Sequence, residues 1–400
     1  MPALALCGHG NMMNGIPHFD QIETKVDGHR LTLSVSGADR LSALLDLIEG
    51  AQTTLRVFFY IFGDDETAAK VRSAMIAARA RGVKVWLLVD GFGTADRADS
   101  AYQPLIEAGV VFCRFYPRWG RRYLLRNHQK IVVADEARAM IGGTNVVTHY
   151  FSDDPEGKSW HDLFLQIDGP AAARLARYFD GLRRWMMSEK SGLRGLIHIL
   201  SRRSEAVGAL QWQFNGPFRR LSPLTRSIKH DIDAANRVDM IQAYFSPSWG
   251  MLRKLARVES RGGQMRLITA ARSDNTTTIS AARHCYKRLL KGGVEIFEYL
   301  PQMLHMKLIV ADDIVYIGSA NFDMRSLFLN AEIMLRIEDA DFAARMREFV
   351  DAHIPYCDPI TRAEHQKRST LFAKLRWLIA YALVASMDFT VTRGLNFRRN

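Results

Sequence analysis

The sequence predicts an α/β fold of two pseudo-twofold-related α/β/α lobes, each with a central mixed sheet flanked by helices, and a shared site where the lobes meet. Two observations carry this. Short apolar runs alternate with amphipathic stretches along most of the chain, the pattern of sheet inside and helices outside. The second half also repeats the first: His128-Gln-Lys130-Ile-Val-Val-Ala-Asp135 returns 177 residues later as His305-Met-Lys307-Leu-Ile-Val-Ala-Asp312.

Residues 1–35 stand apart as an N-terminal segment. Their short apolar run, Leu4 to Cys7, follows no basic region, so no signal peptide is expected. The first lobe is expected over 36–187, with strands at 57–62, 83–90, 110–116, 130–135 and 163–168. Gly109 is expected to end a helix in the left-handed conformation just before a strand. Residues 188–208 read as a basic connector of low periodicity. The second lobe covers 209–358, with strands at 210–214, 238–245, 264–270, 294–300, 307–312 and 331–337, and Gly293 as the counterpart of Gly109. In the tail, 359–400, Ser369 to Met387 is helical by propensity. Arg362, Lys367, Arg368, Lys374 and Arg376 lie at or before its start, and Arg393, Arg398 and Arg399 follow it. Two readings of this helix stand: one lying in the membrane interface, or one packed onto the lobes.

At 400 residues and 48% hydrophobic, the chain can bury a large core, which excludes disorder. No apolar run reaches the roughly eighteen residues of a spanning helix. The net charge of +12 favours polyanions, whether anionic lipid, nucleic acid or phosphorylated metabolites. Cys7, Cys113, Cys285 and Cys357 have no metal-binding spacing; Cys113 and Cys285, in apolar or helical contexts, read as packed thiols, and a reducing compartment follows. No metal and no cofactor is expected.

The chemistry lies in the repeat. Residues i and i+2 of a strand share a face, so His128 with Lys130, and His305 with Lys307, project together. A histidine can attack phosphorus or protonate a leaving oxygen, and a lysine neutralises non-bridging oxygens. Downstream, Ile141-Gly142-Gly143-Thr144-Asn145 matches Ile317-Gly318-Ser319-Ala320-Asn321. Gly143 and Ser319 are small enough for close approach to a phosphate, and Asn145 and Asn321 can donate to its oxygens. Asp135 and Asp312 are expected to hold the site together by hydrogen bonding. One H-x-K-x4-D arises easily by chance. Two, each followed nine or ten residues after the Asp by Asn in a Gly-rich turn, do not. His149 reads as a structural or solvent-facing histidine and Asp153-Asp154 as an acidic loop pair.

This pair of motifs, with GGTN and GSAN, resembles the double signature of the phospholipase D superfamily. Among its members the bacterial cardiolipin synthases are the nearest likeness, through Tyr60-Ile-Phe-Gly-Asp-Asp65, Asp90-Gly-Phe-Gly93, Trp160-His-Asp162, Phe179-x5-Trp185, Tyr244-Phe-Ser-Pro247 and the run from Gly318 to Glu332. The resemblance covers about residues 40 to 350. It implies phosphatidyl transfer through a phosphohistidine, with His128 as nucleophile and His305 as acid and base. Lys130, Lys307, Asn145 and Asn321 would bind phosphate, and Glu332 would support the site. The chain resembles the shorter forms without N-terminal membrane helices, and Gln129 stands where many relatives carry Arg. Phospholipid substrates, phosphatidylglycerol among them, follow from the likeness. So do a monomer and a peripheral place on anionic membrane at the cytoplasmic face. Three alternatives remain: lipid hydrolysis with water as acceptor, a nucleic-acid phosphodiesterase, and a non-catalytic scaffold. Against the nucleic-acid reading, no dense Lys/Arg stripe with interleaved aromatics is present. Against the scaffold, both motifs are intact.

Overall fold

Alternation along the strands decides which core each residue joins. A computed structural model of the chain describes residues 12–13, 16–96, 99–116, 125–154, 158–189 and 191–387. Its first eight-stranded sheet is built, in chain order, from β1 (Ile22–Val26), β2 (His29–Ser34), β3 (Thr54–Phe59), β4 (Lys84–Asp90), β5 (Val111–Phe115), β6 (Ile131–Ala134), β7 (Arg138–Gly142) and β8 (Phe164–Asp168), arranged β1-β2-β8-β7-β6-β3-β4-β5. The second is built from β9 (Leu210–Asn215), β10 (Arg237–Gln242), β11 (Gln264–Ala270), β12 (Glu295–Tyr299), β13 (Lys307–Ala311), β14 (Ile314–Gly318), β15 (Glu332–Glu338) and β16 (Cys357–Pro359), arranged β9-β15-β14-β13-β10-β11-β12-β16. Remove β1 from one edge and β16 from the other, and the two strand orders coincide. In each, three parallel strands adjoin an antiparallel hairpin that carries the His-x-Lys motif.

Helices cover both outer faces. Leu44 and Leu47 of α1 (Gly37–Glu49) and Val71 and Met75 of α2 (Glu66–Ala80) pack on Leu55, Val57 and Phe59 of β3. On the second lobe, α5 (Pro223–Ala234), α6 (Trp249–Ser260) and α7 (Thr276–Lys291) do the same with Ile228, Leu252 and Leu289 against Met240, Leu267 and Ile309. The inner faces meet in one core. Phe58, Val133 and Ile141 from one sheet and Val310, Ile317 and Leu335 from the other enclose Tyr178, Phe179 and Leu182 of α3 (Pro170–Met187). Phe342, Met346 and Phe349 of α8 (Ala340–His353) complete it. This shared core fixes one lobe against the other. Gly109 and Gly293 hold φ of 85° and 97°, the left-handed helix ends expected of them.

Several expectations need correction. A first lobe beginning at residue 36 would leave out β1 and β2, yet both are hydrogen-bonded into its sheet. The repeat itself therefore starts at β2, the counterpart of β9. The sheet of the second lobe runs one residue past 358, through β16 paired with β12. The connector of supposedly low periodicity contains α4 (Leu193–Arg203), which buries Leu196 and Leu200 against the shared core. Strands β7 and β14, read as part of Gly-rich turns, are the return arms of the two hairpins. In the tail, α9 (Leu371–Tyr381) packs on the second lobe through Ala380 and Tyr381. Cys285 and Cys357 are free thiols. Cys7, Arg393, Arg398 and Arg399 lie outside the described residues.

Candidate active site

Each His-x-Lys enters its hairpin at the first strand, and strand alternation sorts its residues. Lys130 and Lys307 lie on the side of their sheets opposite the shared core, in phase with Val132 and Ile309. The intervening residues face inward. Gln129 is fully buried, accepts a hydrogen bond from Tyr178 Oη at 2.8 Å and donates to the Glu332 carbonyl, and Met306 in its place on the other lobe joins the core. Gln129 is thus a strut beneath the site and does not face a donor lipid.

Two matched backbone junctions join the lobes here. Asn127 bridges Ala331, with His128 N–H donating to the Ala331 carbonyl at 2.8 Å. Trp160–His161 pairs in parallel with Met303–Leu304, with His305 N–H donating to the His161 carbonyl at 2.8 Å. The strand registers make Asp162 and Glu332 equivalent, since each stands two residues before the partner of Gly142 or Gly318. Each carboxylate serves the histidine of the other lobe. Glu332 Oε2 is 3.2 Å from His128 Nδ1, and Asp162 Oδ2 is 2.7 Å from His305 Nδ1. Burial alone would raise both carboxyl pKa values. For Glu332, His128 and Lys130 outweigh it; for Asp162, Lys307 and His305 do. Both therefore stay ionised and can only accept, so each Nδ1 carries the hydrogen and each Nε2 keeps a lone pair.

The site is buried, with two lysines set among two carboxylates and two histidines. Burial, then the neighbouring lysine, pulls His128 down to about 4 and His305 to about 3, so both imidazoles are neutral at pH 7. Burial likewise lowers Lys130 to about 7 and Lys307 to about 8. Lys130 Nζ donates to the His128 carbonyl at 2.7 Å, and Lys307 Nζ stands 2.8 Å from His305 Nδ1 and hydrogen-bonds the His305 carbonyl. Aromatic rings wall the histidines. Tyr60 lies edge-on to His128 at 4.8 Å between centroids, and Tyr150 and Trp160 flank His305 at 5.1 and 5.2 Å.

Of the residues expected at the site, His128, Lys130, His305, Lys307, Glu332, Gly143 and Ser319 come together. Ser319 donates to Glu332 at 2.6 Å. Gly143 occupies the matching position, where a Cβ would stand 2.6 Å from the Asp162 carboxylate and 2.9 Å from Lys307 Nζ. Its smallness makes room for that ion contact. Asn145 accepts from Ile61 N–H and donates to Tyr150 Oη, whereas Asn321 Oδ1 is buried with no hydrogen-bond partner among the described residues.

Asp135 and Asp312 are not at the site. They sit at the far ends of β6 and β13, about 15 Å along the strand from the lysines, in left-handed turns with φ of 53° and 46°. Asp135 accepts from the N–H groups of Gln52, Thr53 and Thr54, and Asp312 from those of Asn236 and Arg237. They pin each hairpin to the loop before β3 or β10. His149 is exposed, and Asp153 caps α1 through Gly37 N–H.

Sequence reasoning missed the part played by Asp162, and it missed Arg40. Fully buried on α1, Arg40 donates to the carbonyls of Val35, Tyr150, Trp160 and Asp162, and so ties down the segment that carries Asp162. An acidic residue at the start of each lobe's last repeated strand, or two residues before it, was the available signal for Asp162. Nothing local marks Arg40.

Comparisons with known proteins place the chain in a family. The family model described as cardiolipin synthase, PLD-like domain, matches residues 44–183 and 228–354, one segment in each lobe. Cardiolipin synthase B of Salmonella typhi is 31% identical over 337 residues, 80% of this chain and 79% of that protein. Cardiolipin synthase A of Pseudomonas fluorescens is 30% identical over 350 residues, 86% of this chain and 72% of that protein. The crystal structure of phosphatidylserine synthase from Haemophilus influenzae superposes with a TM-score of 0.73 over 93% of this chain and 96% of that one, at 14% identity, a likeness of fold.

Proposed function

The chain belongs to the cardiolipin synthase family with phospholipase D-like domains, and on that premise we propose that it is a phosphatidyltransferase making cardiolipin from phosphatidylglycerol and a second glycerophospholipid. One observation carries the reading: two neutral histidines, each oriented by a carboxylate of the opposite lobe, beside two buried lysines.

In the first step His128 Nε2 attacks the donor phosphorus. The bond to the glycerol oxygen breaks, and His305 delivers the proton that lets glycerol leave. In the second, His305 takes the proton from the hydroxyl of the acceptor lipid, whose oxygen attacks phosphorus and releases His128. The assignment rests on asymmetry. The His128 side chain is 13% exposed against 4% for His305, and the Asp162 contact on His305 is the shorter, which suits the histidine that must become an imidazolium. The negative phosphodiester, held between Lys130 and Lys307, offsets the lysine charges and raises His305 enough for it to take up the proton it donates. The reading needs no metal and no cofactor.

No helix among the described residues is long and apolar enough to cross a membrane. The +12 charge supports a monomer held peripherally on anionic lipid at the inner face of the cell membrane. The test is mass spectrometry of lipids after incubation with phosphatidylglycerol vesicles, beside His128→Ala and His305→Ala. Cardiolipin and free glycerol formed only by the intact protein are expected. Phosphatidic acid alone would mean a hydrolase, and no lipid product would turn attention to nucleic acid.

A further inference from the structure

The tail helix has two faces, and only one is used by the fold. Ala380 and Tyr381 turn toward the second lobe, and Trp377 is buried beside them. Trp377 stacks on His365 at 5.2 Å, Tyr381 on His284 at 4.9 Å, and Tyr381 Oη donates to the Pro247 carbonyl at 2.8 Å. On the opposite side Leu371, Phe372, Leu375, Leu378 and Ile379 are 88, 76, 55, 50 and 51% exposed. At about 100° per residue these five fall within an arc of roughly 120°.

Five large apolar side chains in one outward arc are a costly surface for water. By transfer energetics it is a patch that something else covers. Its borders say what. Lys374 projects at one edge of the arc and Arg376 at the other, both exposed, and no acidic residue stands between Glu364 and Met387. On the neighbouring helix α7, Lys287, Arg288 and Lys291 are exposed as well. An apolar stripe bordered on both sides by cations matches a bilayer interface, acyl chains at the centre and anionic headgroups at the rim. A second copy of the chain would bring the same cations against one another.

We infer that the outward face of α9 docks on anionic phospholipid bilayer, with Leu371, Phe372, Leu375, Leu378 and Ile379 entering the acyl boundary and Lys374 and Arg376 meeting the headgroups. This deepens the transferase reading and rests on it only for the purpose served. Pro247, held by Tyr381, closes the Tyr244–Pro247 segment, and the Tyr244 ring lies 6.2 Å from that of His305. Docking at α9 therefore sets this rim of the site near the source of lipid.

The test is co-sedimentation of the full chain with vesicles of phosphatidylcholine alone or with phosphatidylglycerol. Phe372→Glu/Leu375→Glu and, separately, Lys374→Glu/Arg376→Glu are compared with the parent, with thermal midpoints confirming that the packed face is intact. The parent is expected to sediment with the anionic vesicles. The first pair should weaken partitioning at least tenfold, and the second should weaken it only where phosphatidylglycerol is present. Unchanged partitioning by both pairs, or a parent that ignores anionic vesicles, overturns the inference. So does a parent dimer that the first pair converts to monomer while vesicle binding persists. Lipid products are read in the same tubes. Binding without any product counts against the transferase reading and leaves the docking face standing.

Discussion

A histidine that attacks phosphorus needs a free lone pair at Nε2, and one that serves as acid needs a place to hold a second proton. Both needs fall on the carboxylates. In Glu332→Gln or Asp162→Asn the side chain keeps its length, but the amide no longer demands a hydrogen on Nδ1, so the tautomer is lost along with the charge. Each substitution is expected to lower kcat by about 10² to 10⁴ with little change in KM, measured as initial rates on phosphatidylglycerol. Glu332 was legible in the sequence as a supporting residue. Asp162 stood only within the Trp160-His-Asp162 likeness, and the pairing of either carboxylate with the histidine of the opposite lobe arises only on folding. The lysines make a second prediction. With burial holding Lys130 at about 7 and Lys307 at about 8, both ammonium groups are partly deprotonated near pH 7.5. A phosphodiester anion restores them, so binding should take up protons. Titration calorimetry of glycerophosphoglycerol at pH 7.5 should give apparent enthalpies that vary with the ionisation enthalpy of the buffer. Buffer-independent enthalpies would count against these depressed values.

At the scale of elements, the site depends on two anchors that sit away from it. Asp135 belongs to the motif by sequence and to the turn by structure. Asn tolerates the left-handed backbone that Asp135 adopts, so Asp135→Asn removes the charged acceptor and little else. An expected loss of about 1 to 3 kcal/mol in unfolding free energy, with kcat of the folded protein changed far less than in His128→Ala, would separate anchoring from chemistry. Denaturant titration and initial rates supply both readings. Arg40 is the second anchor. Arg40→Ala leaves four buried carbonyls without their donor and frees the Tyr150–Asp162 segment, at a cost of about 3 to 5 kcal/mol. Lysine offers one ammonium where four carbonyls converge, so Arg40→Lys should recover only part of the loss. Elements with strong apolar runs, such as β4 and β13, were legible. Those with mixed polarity were not. β1 reads Ile-Glu-Thr-Lys-Val and β7 Arg-Ala-Met-Ile-Gly, and each is a strand because a neighbour supplies the hydrogen bonds. In α4, Leu193, Leu196, Ile197 and Leu200 do follow helical spacing, but the surrounding Gly, Ser and Arg obscure it.

Over the whole molecule, the 177-residue repeat was enough to foretell two lobes, because each copy must build the same strands to present the same His-x-Lys. It carried no information on the exchange of carboxylates between lobes, a property of the interface and of neither copy alone. That interface also concentrates buried neutral histidines, and acid should find them. Folded pKa values are depressed by burial to about 4 for His128, 3 for His305 and 4 for His353, and His161, paired at 2.8 Å with His353, moves the same way. All four titrate near 6.5 once unfolded. Between those limits the unfolded chain binds more protons, so stability is fully present above about pH 6.5 and is lost as the pH falls toward the folded values. His284 and His365 are shifted in the same direction by burial. Asp90 and Asp323 oppose this. Burial raises both to about 6, so in the same window the folded state holds two protons that the unfolded state has released. Four histidines of depressed pKa against two carboxyls leave the unfolded state ahead by about two protons at pH 5, or roughly 2.7 kcal/mol per pH unit. Unfolding free energy from urea titrations should therefore fall between pH 7 and pH 5, and His128→Asn/His305→Asn should remove most of that slope. A protein equally stable at both pH values would mean that the histidines of the interface already carry charge in the folded state.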